Sequence, residues 1–118
     1  MTDCIFCKIA NGEIPSNKLF EDDDVLVFHD IHPVAPVHFL VVPKTHLTSL
    51  AQADDIHQAL LGKLLLVGAR CAHELGLAEG FRTIVNTGAG GGQTVFHLHV
   101  HVIGGPGLSP RIAEVVTH

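Results

Sequence analysis

Apolar and polar positions along this chain change rhythm several times, and each change marks an element. Residues 4–10 (CIFCKIA) read as a short helix that ends at Asn11-Gly12 and is closed off by Pro15. Lys18–Glu21 and Val25–His29 are short apolar runs separated by Asp22-Asp23-Asp24, which predicts a hairpin. Residues 31–36 hold two prolines and read as a loop, while 38–43 (HFLVVP) is rich in β-branched residues and predicts a strand. The one long helix is expected over 55–75, where Ile56, Leu60, Leu64, Val67, Cys71 and Leu75 recur at steps of three and four. Asp54 and Asp55 suit the positive end of its dipole, and Gly76 suits a left-handed stop. Residues 81–86 predict a strand, 88–92 a glycine-rich loop, and 95–103 the last strand, ended by Gly104-Gly105-Pro106.

The order is a short helix, three strands, a long helix and two strands. Short links between neighbours favour an α+β fold: an antiparallel five-stranded sheet with one long helix on a face and a short N-terminal helix. The length of 118 residues points to one domain spanning 1–118.

Composition narrows the classes of function. With 47% hydrophobic and 16% charged residues the chain is globular and not disordered. The net charge is -5, and the seven Lys and Arg form no run, so nucleic acid is not an expected partner. No apolar run approaches the ~20 residues that span a bilayer, and Met-Thr-Asp-Cys opens no signal peptide. A cytoplasmic protein with no membrane partner is therefore expected. Three cysteines without a secretion signal argue against a disulfide scaffold. Cys71 falls on the apolar stripe and reads as core.

The strongest chemical signal is Phe96-His97-Leu98-His99-Val100-His101-Val102-Ile103. On a strand, His97, His99 and His101 share one face and Leu98, Val100 and Val102 the other. The imidazoles would stand about 7 Å apart, from a rise of ~3.4 Å per residue, so they should have different tasks. The plain alternative is a polar, solvent-facing strand. The loop Gly88-Ala89-Gly90-Gly91-Gly92-Gln93-Thr94 just before it could bring backbone N–H groups close to a phosphate. A second constellation is Cys4-x-x-Cys7 with His46 and His97. Two thiolates and two imidazoles would complete a tetrahedral zinc site, although the spacing permits this without requiring it, and two reduced, half-buried cysteines are the alternative.

Gly92-Gln93-Thr94-Val95-Phe96-His97-Leu98-His99-Val100-His101-Val102 resembles the histidine triad motif. The resemblance runs from Cys4 to about Gly105 and includes Glu13-Ile14-Pro15, Phe28-His29-Asp30-Ile31, the stretch from Ala35 to Leu40, and Asn86. It is similar to the Hint branch, the purine nucleoside phosphoramidases. The resemblance implies a homodimeric hydrolase of nucleoside 5′-phosphoramidates, acting on a purine, AMP-like nucleotide through a nucleotidyl-histidine intermediate. Two alternatives are a dinucleoside polyphosphate hydrolase and a non-catalytic nucleotide-binding module. By the same resemblance His99 is the nucleophile, His101 binds phosphate oxygens and His38 supports them. Asp30 takes the ribose hydroxyls, and Ile5, Phe6, Phe28, His29 and Ile31 wall the base pocket. Asn86, Gly92, Gln93 and Thr94 fall near the phosphate and leaving group. Cys4, Cys7, His46 and His97 match the ligands of a structural zinc in bacterial-type members, with no catalytic metal expected. Thr94 stands where many members have Ser, Phe96 where Tyr is frequent, and the tail after Gly105 lacks the usual Trp-containing ending.

Overall fold

The computed structural model describes residues 4–108; the tail beyond Leu108 lies outside the described residues. Helix α1 spans Ile5–Ala10, capped by Cys4, whose sulfur accepts the Cys7 N–H at 3.3 Å. Strands β1 (Lys18–Glu21) and β2 (Val25–His29) form the expected hairpin. The Asp22 carboxylate makes its turn, accepting the N–H groups of Asp24 at 2.8 Å and Val25 at 2.9 Å. Strand β3 is Val37–Pro43, helix α2 Gln58–Glu74, strand β4 Arg82–Ile84 and strand β5 Val100–Gly104. The five strands form one antiparallel sheet in the order β1-β2-β3-β5-β4.

Both faces of the sheet are covered, which explains why Val25–Phe28 of β2 and 39–43 of β3 are apolar without a break. Val25 and Val27 of β2, Phe39 and Val41 of β3, and Val100 and Val102 of β5 face α2, which answers with Leu64, Val67, Cys71 and Ala72. Gly68 lets the helix lie close, because a Cβ there would stand 3.3 Å from Val41 Cγ2 and 3.4 Å from Val102 Cγ2. On the opposite face Leu26 and Phe28, with Leu40 and Val42, pack under Phe6, Ile9 and Ala10 of α1.

Three boundaries depart from the sequence expectation. Residues 55–57 form a 3-10 turn whose cap is Asp54, and Ile56 is 84% exposed, so the apolar stripe of α2 begins later. Strand β4 is shorter than 81–86. Strand β5 begins at Val100 and not at 95. By register Val41 pairs with Val100, so Pro43 stands opposite Leu98. Proline has no N–H for the ladder. Its carbonyl is taken by the His97 ring at 2.8 Å, and the Leu98 N–H turns to the Leu47 carbonyl at 2.6 Å. The alternation of faces nevertheless persists through this stretch. Leu98, Val100 and Val102 enter the α2 side of the core, and Gly76 ends the helix region at φ +85 as expected.

Candidate active site and metal cluster

His97, His99 and His101 are at most 2% exposed, which rules out the solvent-facing reading of the strand. They are also closer than an ideal strand would set them, with the His99 and His101 ring centroids 4.9 Å apart. His101 sits on β5 opposite Leu40, while His38 on β3 faces Ile103, so the two histidines are diagonal neighbours on one face.

Hydrogen bonds assign the tautomers. The His99 Nδ1 lies 2.6 Å from the His97 carbonyl, which only accepts, so Nδ1 carries a proton and the neutral ring has its lone pair on Nε2. The His38 Nδ1 accepts the Val34 N–H at 3.2 Å, so the ring is neutral with its proton on Nε2. That proton faces the His101 Nδ1 at 3.0 Å and the Asp30 Oδ2 at 3.2 Å. The His101 Nδ1 therefore accepts, and its own proton lies on Nε2. One neutral chain, Val34 to His38 to His101, thus makes His101 a donor beside His99, whose neutral ring has its lone pair on Nε2.

Next to this row lies a cavity of about 280 Å³, near the lower end of the range of roughly 300–1,000 Å³ for small-ligand sites. Ile5, Phe6, Phe28, His29, Asp30 and Ile31, the six residues assigned to base and ribose, all line it. Phe6 joins the cavity to the histidines, standing edge-on to His99 at a centroid distance of 5.0 Å. Ile5 is 47% and Ile31 85% exposed. The Asp30 Oδ1 accepts the His32 N–H at 2.9 Å, which fixes a carboxylate on the cavity wall. Sequence reading missed Ile9, Ile14, Leu40 and Val95 among the walls, and Ser16, whose buried hydroxyl has no hydrogen-bond partner among the described residues. The four-residue step from Ile5 to Ile9 on α1 was the available signal for one of them.

The glycine loop is braced from inside. The Gln93 Oε1 accepts the Gly88 N–H at 2.8 Å, and its Nε2 donates to the carbonyls of Thr48 at 2.8 Å and Val95 at 3.0 Å. Gly92 has φ +92, and Asn86 Nδ2 lies 4.0 Å from where a Cβ would stand, so Asn86 and Gly92 are neighbours. Thr94 is exposed. Asn86, Gly92, Gln93 and Thr94 do not line the cavity that holds Asp30.

The second constellation converges as well. The ligand atoms of Cys4, Cys7, His46 and His97 all lie within 4.8 Å of one another, a group that could hold a metal ion. His97 Nδ1 is 3.3 Å from Cys4 Sγ and 3.5 Å from Cys7 Sγ, and His46 Nδ1 is 3.3 Å from Cys7 Sγ. A tetrahedral zinc with Zn–S of about 2.3 Å and Zn–N of about 2.0–2.1 Å sets S···N near about 3.6 Å, so the donors fit. The Nε2–H of His97 donates to the Pro43 carbonyl, which leaves Nδ1 as the lone-pair nitrogen facing both sulfurs. Burial holds the His97 pKa down at about 4, with the Pro43 carbonyl opposing and His46 and His99 adding to it. Burial and the neighbouring Cys4 push the Cys7 thiol up to about 11.

The HIT domain family matches residues 11–107 of this chain. Protein HitA of Neisseria gonorrhoeae is 53% identical over 106 residues, covering 90% of this chain and 99% of that protein. Adenylylsulfatase HINT1 of Arabidopsis thaliana is 52% identical over 103 residues, covering 86% of this chain and 70% of that protein. Among solved structures, a histidine triad protein from Clostridium difficile aligns with a TM-score of 0.90 at 50% identity, covering 95% of this chain and 98% of that one. A zinc-bound histidine triad family protein from Mycobacterium smegmatis aligns with a TM-score of 0.78 at 36% identity, covering 97% and 85%.

Proposed function

Because this chain belongs to the HIT domain family, we propose that it is a nucleotide hydrolase that cleaves nucleoside 5′-phosphoramidates at the α-phosphorus. The observation that carries this reading is the 2.6 Å bond from the His99 Nδ1–H to the His97 carbonyl, which leaves Nε2 as the basic nitrogen. A neutral imidazole attacks phosphorus in line, forms an N–P bond and expels the leaving amine, which takes up a proton as it departs. Water then cleaves the nucleotidyl-histidine. The Nε2–H of His101 donates to phosphoryl oxygen as charge builds there, and His38 keeps that proton in place. No Lys or Arg lines the cavity among the described residues, so neutral donors do this work.

Asp30 receives the ribose hydroxyls, and the apolar walls from Ile5 to Phe28 hold a purine. The Arabidopsis relative is named an adenylylsulfatase, which favours an adenylyl group as the part transferred and makes sulfate a second leaving group. The ion held by Cys4, Cys7, His46 and His97 is zinc, supported by the donor set and by the zinc-bound relative. When bound, zinc neutralises the two thiolates, and its four protein ligands leave no position for substrate. The test is turnover of adenosine 5′-phosphoramidate in competition with adenylyl sulfate and diadenosine polyphosphate. Rapid-quench mass spectrometry should find a nucleotidyl group on His99, and His99→Ala should abolish turnover while retaining AMP. A label elsewhere, or near-normal turnover in His99→Ala, refutes the mechanism.

A further inference from the structure

Helix α1 carries two roles in one turn. Cys4 and Cys7 point to the metal cluster, while Ile5 and Phe6 between them wall the nucleotide cavity. We infer that Cys4 and Cys7 are positioning residues for the base, and that the metal they hold sets nucleotide affinity by fixing the first turn of α1 against the sheet. The inference rests on the zinc reading above.

Three features carry it. First, α1 has six residues, far below the ~12–15 at which an isolated helix is even marginal in water, so tertiary anchors decide its position. Second, those anchors are unevenly spread. Ile9 and Ala10 bury the C-terminal half in the apolar cluster, whereas Ile5 in the first turn is 47% exposed. Phe6 does pack there, on Phe28 at 5.7 Å and on His99 at 5.0 Å, and these contacts are the ones a shift of the turn would disturb. The reach from Cys4 and Cys7 to His97 and His46 crosses 93 and 39 positions of sequence and ties this turn to the loops at the far end of β3 and β5. Third, the nucleophile has holds that do not run through α1. The stretch that orients His99 is held by the His97 ring on the Pro43 carbonyl and by the Leu98 N–H on the Leu47 carbonyl. Neither bond involves Cys4, Cys7 or His46.

Loss of metal should therefore act on the base more than on the phosphoryl chemistry. The experiment compares zinc-loaded protein with protein stripped by a chelator under reducing conditions, below its melting temperature and with far-UV circular dichroism as a check on folding. Calorimetry measures AMP and ribose 5-phosphate binding, and kinetics with adenosine 5′-phosphoramidate separates KM from kcat. AMP affinity should fall about ten- to hundredfold, the equivalent of unseating one or two apolar side chains. Ribose 5-phosphate affinity should hold within about twofold, kcat should fall less than AMP affinity because the Phe6 edge contact is the one link from this turn to His99 that the argument uses, and returning zinc should restore AMP binding. Cys7→Ser should reproduce the stripped protein; where it fails to fold, the stripped wild-type chain gives the answer. Unchanged AMP affinity in protein shown by elemental analysis to have lost its zinc overturns the inference, as does an equal fall for AMP and ribose 5-phosphate. Protein that takes up no zinc under reducing conditions overturns the metal reading itself, and the inference with it.

Discussion

Replacing His38 with Phe keeps much of the ring volume and removes both nitrogens from the chain that runs from Val34 to His101. His38 is 2% exposed, so water does not readily take its place. The variant leaves the His101 Nδ1 and the Asp30 carboxylate without the proton they face at 3.0 and 3.2 Å. The two hydrogen bonds lost, from the Val34 N–H and to the His101 Nδ1, cost about 1–3 kcal/mol each, and about 3 kcal/mol in total is expected because the Val34 end is partly exposed. An unfolding entropy of about 2.1 cal/mol/K per residue over 118 residues gives about 0.25 kcal/mol per degree, and Tm should fall by about 12 °C. The effect on catalysis follows from the tautomer. The Asp30 carboxylate has an oxygen within 4.8 Å of a His101 ring nitrogen and, without His38 between them, draws the proton of His101 to Nδ1. Nε2 then meets phosphoryl oxygen with a lone pair in place of an N–H. Removing one such donor lowers kcat by about 10²- to 10³-fold. The assay is kcat on adenosine 5′-phosphoramidate at a temperature where His38→Phe is folded, with nitrogen NMR of the imidazoles in the unmodified protein. A variant kcat within about threefold of the parent would falsify the relay. So would an NMR spectrum of the parent with His101 protonated on Nδ1.

Asp30→Asn should weaken ribonucleotide binding with the fold intact, by leaving a buried hydroxyl imperfectly paired; equal affinity of the unmodified protein for ribo- and 2′-deoxyribonucleotides would remove Asp30 from the ribose. The chain should be a homodimer, because α2 leaves Leu65 and Leu66 at 52% and 60% exposure and β4 is an edge strand; light scattering at micromolar concentration showing a monomer would refute this. Lys63 reaches the Asp22 carboxylate at 2.7 Å and, with the Asp24 and Val25 N–H groups, brings its pKa down to about 2. Because that folded value lies below the ordinary carboxylate value, the contribution of Asp22 is present above about pH 4 and is lost as pH falls through about 2. Lys63→Ala should return the Asp22 titration toward the ordinary range, and an unmoved NMR titration would show that the turn N–H groups alone hold it down.

Local pattern carried much of this protein in the sequence. The β1–β2 hairpin around Asp22-Asp23-Asp24, the apolar stripe from Leu60 to Cys71 and the two-residue alternation through His97, His99 and His101 each depend on neighbours a few positions away. Such periodicities survive folding because they are set by backbone geometry. The assignment of Leu98, Val100 and Val102 to the helix side holds even where the ladder stops short of them. Tertiary structure decided whatever depends on register between distant segments. That β5 starts at Val100 follows from Pro43 standing opposite Leu98, 55 positions away by their numbering. Ile56 fits the helical period, yet it lies in the 3-10 turn before α2 and stays exposed. The tautomers of His99 and His101 belong to the same class, since each is chosen by a carbonyl or ring that the fold places beside it. The meeting of Cys4 and Cys7 with His46 and His97 does too. The spacing only permitted that cluster, and the packing of α1 across the sheet brings its four donors within 4.8 Å of one another.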